Sequence, residues 1–259
     1  MVEIKKYKFA FRCTKPGTVF GHGGSECHGL LFAMLEQVNP GFAQIIHEEK
    51  ENQFSIGPLR GKGKREKGAF YLDDGAEYYF SIASLTADMD TALEKSLAYI
   101  NPAGKFRLGS ADCSWLRAEK LCEAVQVQLC RELPPAKFVI NFLSPTCFRS
   151  QGISLLFPSP ELVFNNLRER WNAFASVPIE LFLGNSLYIS RYNLKTSTVR
   201  FAKYYITGFM GRVEYCFAKG TSEAIRKQIW TLALFSTYSG IGYKTGMGMG
   251  EVRVERCDG

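Results

Sequence analysis

Two successive strand-and-helix patterns set the strongest limit on how this chain folds. Residues 4–12 alternate, with Tyr7, Phe9 and Phe11 on one side and Lys6, Lys8 and Ala10 on the other. That period of two is the signature of a strand. Residues 17–24 read as a loop holding His22. Cys27, Leu30, Leu31, Met34, Leu35 and Val38 then recur at helical spacing and form one apolar stripe. Asn39-Pro40-Gly41 breaks that helix, and a short helical turn over 42–46 ends at His47. A short strand is expected over 53–58, and a hairpin over 69–72 and 77–84, turned at Asp73-Asp74-Gly75. Met89, Leu93, Leu97 and Ile100 mark a second helix, capped by Thr86 or Asp88, and one or two strands follow within 106–121.

The second half repeats the order. A strand is expected over 138–142, and Ser159-Pro160-Glu161 is a strong helix start. Phe164, Leu167, Trp171 and Phe174 give that helix its buried face. Strands are expected over 187–190, 199–207 and 212–217, then a helix striped by Ile225, Ile229, Leu232 and Phe235, then a last strand over 251–255. Each half therefore reads β-α-β-β-α-β. The expected fold class is α+β, two tandem ferredoxin-like (RRM-like) domains with a C-terminal glycine-rich loop. Pro134-Pro135, within 131–137, marks the linker. It divides the chain into an N-terminal domain, 1–130, and a C-terminal domain, 131–259. A length of 259 residues suits two domains.

Residues 240–250 read G-I-G-Y-K-T-G-M-G-M-G. Glycines so spaced allow positive φ and close backbone approach, and leave amide N–H groups open to a phosphate chain. A P-loop is excluded, because G-x-x-x-x-G-K-[ST] is not satisfied and a strand pattern follows. The net charge of +7 suits an anionic partner. Arg60, Lys62, Lys64, Arg65 and Lys67 form a basic loop able to track phosphates. Arg191, Lys195, Arg200, Lys203 and Arg212 are interleaved with Tyr192, Phe201, Tyr204 and Tyr205, a mixture that suits backbone contact and base stacking.

None of the eight cysteines forms C-x-x-C, which argues against zinc or redox chemistry and for free thiols in a reducing compartment. No run approaches a membrane span, and the first residues carry no secretory signal, so a cytoplasmic protein without a membrane partner is expected.

Gly240-Ile241-Gly242, five residues, then Gly248-Met249-Gly250 fit a G-h-G-x5-G-h-G pattern, with h apolar. His28-Gly29-Leu30-Leu31-Phe32, Asn39-Pro40 and Ile46-His47-Glu48-Glu49-Lys50 accompany it near the other end. Together these segments resemble the CRISPR-associated repeat-processing endoribonucleases of the RAMP superfamily. The resemblance implies metal-independent, cofactor-free cleavage of CRISPR repeat RNA in the precursor transcript. There the ribose 2′-hydroxyl attacks the scissile phosphate and leaves a cyclic phosphate. It implies His47 as the acid/base group and Lys50 as the charge on the transition state. Gly240, Gly242, Lys244, Gly246, Gly248 and Gly250 would bind RNA, joined by Arg60, Lys62, Lys64, Arg65, Arg191 and Lys203.

Phe32 stands where known members have a tyrosine, and phenylalanine cannot move a proton. His28, one helical turn earlier, is the candidate for the missing group. The substitution keeps two alternatives open, a repeat-RNA binder that does not cut and a structural subunit of a CRISPR effector complex. Other effector proteins are then further partners, and a homodimer stays open.

Overall fold

The computed structural model describes residues 3–49, 51–98, 100–101 and 104–257. The chain runs through β1 (Glu3–Lys15), β2 (Gly17–Phe20), α1 (Gly24–Val38), α2 (Pro40–Glu48), β3 (Phe54–Ile56), β4 (Arg60–Gly61) and β5 (Arg65–Glu66). Next come β6 (Ala69–Leu72), β7 (Glu77–Ser84), α3 (Ala87–Ala98), β8 (Lys105–Leu108), β9 (Ala111–Val125) and α4 (Gln126–Leu129). It continues with β10 (Lys137–Thr146), β11 (Phe148–Ser150), β12 (Ile153–Leu155), α5 (Pro160–Phe174), β13 (Leu187–Arg200) and β14 (Tyr205–Phe217). The last elements are α6 (Glu223–Ser239), a 3-10 turn at Thr245–Met247 and β15 (Val252–Cys257).

The first sheet has the order β3-β7-β1-β9-β8, with β4 also on β7; the second has the order β13-β14-β10-β15. Without the short additions, each half places its four strands 2-3-1-4 with antiparallel neighbours. That is the ferredoxin-like arrangement, built twice. The alternation in β1 works as expected, since Tyr7, Phe9 and Phe11 are buried with the apolar faces of α1 and α3. The second core gathers β10, β14, α5 and α6, and also takes in Ile4, Ala83 and Leu85 from the first half.

Side-chain caps fix four of the helix starts, among them Ser222 Oγ, which accepts from Ile225 N at 3.4 Å at the head of α6. Ser159 Oγ accepts from Leu162 N at 3.4 Å, and Thr86, not Asp88, accepts from Met89 N at 3.2 Å. Asn39 Oδ1 accepts from Phe42 N at 3.1 Å, with Pro40 as the first helical residue of α2. All eight cysteines are free. Among the described residues, no helix is long and apolar enough to cross a membrane.

Three expected elements differ. Residues 17–20, read as loop, are a strand paired with β6. The expected 69–72/77–84 hairpin does not form, because β6 pairs with β2 and β5 while β7 pairs with β1, β3 and β4. The Asp73-Asp74-Gly75 turn instead hands the chain from one sheet to another. Gly75 N bonds to Cys13 O at 2.9 Å, and Cys13 N bonds to Ala76 O at 3.0 Å. The three strands expected over 187–217 are two long ones, reversed at residues 201–204. Between residues 191 and 198 the burial pattern shows no buried face, so no period of two could be read there.

Candidate active site

The Asn39-Pro40 corner folds α2 back along α1, and this brings three rings together. His28 and Phe32, four residues apart on α1, have ring centroids 4.7 Å apart. The His47 ring meets Phe32 edge-on at 5.4 Å. Phe54 of β3 closes the cluster, 6.0 Å from Phe32 and 5.8 Å from His28. Phe32 thus separates two imidazoles, one half-buried and one exposed.

The glycine-rich loop approaches the same cluster from the other half. His28 Nδ1 donates to Gly246 O at 3.0 Å. A carbonyl oxygen can only accept, so in the neutral ring the lone pair lies on Nε2. Burial pushes His28 below the ordinary histidine value; the Gly246 carbonyl opposes this, while His47 and Lys244 reinforce it. A groove of about 760 Å³ opens beside it, lined among others by Asn52, Arg149, Asn166, Tyr243 and Lys244. The Lys244 ammonium lies 5.2 Å from the Tyr243 ring, 5.4 Å from Tyr204 and 5.7 Å from Phe201. Arg149 sits 5.5 Å over the outer Tyr243 ring. Cations held on aromatic faces keep their charge but lose freedom, which suits a fixed phosphate contact.

The glycines serve a different end from the open amide cradle expected. Gly240, Gly246, Gly248 and Gly250 are buried. Most loop amides are already bonded: Ile241 N to Gly250 O, Tyr243 N to Cys147 O, Gly250 N to Pro145 O, and Gly242 N to Asn166 Oδ1. Gly248 has φ +82°, and a Cβ there would stand 3.0 Å from Gly24 Cα and 2.8 Å from His22 Cε1. The glycine loop therefore packs backbone to backbone against the start of α1, and lines the groove with Gly242, Tyr243, Lys244, Thr245 and Met247.

The other expected contacts scatter. Arg60 is ion-paired with Glu251, and Arg65 stacks on Phe70 at 4.0 Å and donates to Leu59 O. Neither is a free phosphate tracker. Both line a second cavity, of about 420 Å³, with His22. Lys62 is exposed, and so is Lys64, which pairs with Glu66 at 2.5 Å. Lys203, exposed in the β13–β14 turn next to Tyr204, lies near Lys244 in the fold. Arg191 is exposed on the edge strand, nine residues before Arg200, which at strand rise is about 30 Å from the turn. Lys50 lies outside the described residues. Arg149, Arg170, Asn166 and Tyr243 were not singled out from sequence. Only Arg170 gave a sign, falling at helical spacing with Leu167 and Phe174 on the buried face. Among the described residues, no group of three His, Cys, Asp or Glu side chains is placed to hold a metal ion.

Buried His22 is pushed down to about 4, by burial first and then by Arg65. The folded protein resists the proton that the unfolded chain accepts. Stability is therefore fully present above the ordinary histidine pKa of about 6.5, and about 3 kcal/mol is lost as pH falls from there toward 4. Urea unfolding over this range should show the loss, and His22→Gln should flatten it; an equal slope in the variant would contradict the assignment.

The family model described as CRISPR-associated endoribonuclease Cas6 matches residues 140–252. A Cas6 endoribonuclease of Streptococcus thermophilus is 26% identical over 234 residues, covering 88% of this chain and 89% of that protein. One from Mycobacterium tuberculosis is 28% identical over 124 residues, 46% of this chain and 39% of its own. A Cas6 product complex superposes with a TM-score of 0.81 at 22% identity, covering 98% of this chain and all of that one. Thermus thermophilus Cas6 gives 0.74 at 20% identity over 98% and 99%. In sequence the chain is similar to CRISPR-associated Cas6 endoribonucleases, and in fold it is similar to solved Cas6 structures.

Proposed function

We propose that this protein is an endoribonuclease that cuts CRISPR repeat RNA in the precursor transcript. The observation that carries the reading is the pair of imidazoles either side of Phe32, one of which, His28, lines the groove that holds Lys244. Cleavage by internal transfer needs a base for the 2′-hydroxyl, an acid for the leaving 5′-oxygen and positive charge on the phosphate between them. His28 is held neutral with Nε2 as acceptor, so it takes the base role. His47 is the second imidazole of the cluster and takes the acid role. Lys244, with Arg149 nearby, supplies the charge. Lys50, two residues beyond α2, is a further cation on sequence grounds alone. These groups make up the reaction without a metal ion or cofactor. Lys203 and Tyr204 in the β13–β14 turn, and the exposed Lys62 and Lys64, would extend the RNA contact beyond the cut. Similar structures include a Cas6 substrate-mimic complex and a RAMP protein binding different RNA substrates, which supports RNA as the ligand.

The alternative, a repeat-RNA binder that does not cut or an effector-complex subunit, has Phe32 in its favour. End-labelled repeat RNA with the protein in excess chelator separates the two. A single cut that His47→Ala abolishes supports the enzyme; tight binding with no product supports the binder.

A further inference from the structure

Resting on the cleavage reading above, we propose that Arg170 is a positioning residue for His28, acting through the 3-10 turn of the glycine loop. Arg170 belongs to α5 in the second half, is 5% exposed, and reaches across to the first half. One guanidinium nitrogen donates to Phe54 O at 2.7 Å and to Asn52 O at 3.4 Å, both in the segment that opens β3. The other donates to Thr245 Oγ1.

Thr245 is buried, and its methyl would meet any Cβ added at Gly240 or Gly250 at 3.1 Å. The next residue, Gly246, is pressed against Asn52 and Phe54, and its carbonyl receives the His28 Nδ1 proton. The planar guanidinium thus pins the two supports of the His28 ring at once. They are the Phe54 segment, whose ring lies 5.8 Å from the imidazole, and the carbonyl that fixes its tautomer. A lysine has no fork and cannot bridge both.

A buried arginine also costs desolvation, and hydrophobic packing would fill the same space more cheaply. An arginine placed there fits a role in geometry. Small displacements of a base lower the rate without touching substrate affinity.

The experiment uses the full chain with two variants. Arg170→Met removes the fork, and Thr245→Val removes only the hydroxyl acceptor while keeping the packing. Histidine 15N spectra of the free protein report the tautomer of each of the three histidines independently of any RNA. Wild type is expected to show His28 as the Nδ1–H form. Both variants should shift it toward the Nε2–H form and lower single-turnover kcat 10- to 100-fold, with KM for repeat RNA within about 3-fold. Arg170→Lys should not restore the rate. The inference is overturned if Thr245→Val keeps both the Nδ1–H signal and the wild-type rate, or if the variants change KM alone. Should wild type not cut at all, the cleavage reading fails, and the spectra still decide whether Arg170 sets the His28 tautomer.

Discussion

His28→Ala is expected to lower the single-turnover cleavage rate by about 10²- to 10⁴-fold, the usual range for loss of a general base, while repeat RNA still binds. The ring is half-buried against Phe32 and Phe54, which leaves little of its surface open to RNA. Its Nδ1 is committed to Gly246 O, so the only group lost toward the ribose is the Nε2 lone pair. His28→Gln, which can keep a hydrogen bond but cannot cycle a proton, should be nearly as slow. The acidic limb of the rate profile should lie below the ordinary histidine value, because burial disfavours the cation. Below that limb the imidazole is protonated and the base is gone, so the rate falls as pH falls. Wild-type rates from His28→Ala would assign the base elsewhere.

Gly248→Ala is expected to destabilise the protein by about 3 kcal/mol. The left-handed φ of +82° costs an alanine about 1–2 kcal/mol. The new methyl, 2.8 Å from His22 and 3.0 Å from Gly24 Cα, adds an overpacking term of about 1–3 kcal/mol. Backbone at Gly24 cannot swing aside as a long side chain would. Gly29 makes the useful contrast. It is exposed in the middle of α1, with nothing within 4 Å of an added Cβ. Gly29→Ala should stabilise by about 0.5–1 kcal/mol, through helix propensity alone. Chemical denaturation of both variants checks the signs. A Gly248→Ala midpoint equal to wild type would mean that the loop does not bear on α1.

The contrast between these two glycines shows what could be read from sequence and what could not. Periodicity found α1, α3, α5 and α6 because each hides an apolar stripe against a sheet. Ser159 marked a helix start through its capping oxygen, whereas Asn39-Pro40-Gly41 was read only as the end of α1 and proved also to cap α2. Periodicity failed in β13, where both faces between residues 191 and 198 stay largely open to solvent. It also failed at Asp73-Asp74-Gly75, where turn chemistry specifies a reversal but not which strand is met after it. His28 and His47 were identified as candidates singly. Their convergence on Phe32 depends on the angle of the Asn39-Pro40 corner, which spacing does not give. The glycine spacing was read correctly as close approach, but the partner proved to be α1. Lys244, the loop's one charged side chain, lies beside the groove, held there by rings from residues 201, 204 and 243.

Cleavage of repeat RNA carrying a single 2′-deoxy sugar immediately upstream of the cut tests the internal-transfer chemistry most directly. On the proposed internal-transfer route, no product should form from the deoxy substrate. The all-ribose RNA should yield a 5′ fragment ending in a cyclic phosphate. Cutting of the deoxy substrate at the same bond would show that something other than the neighbouring hydroxyl attacks the phosphate, and the roles given to His28 and His47 would be wrong.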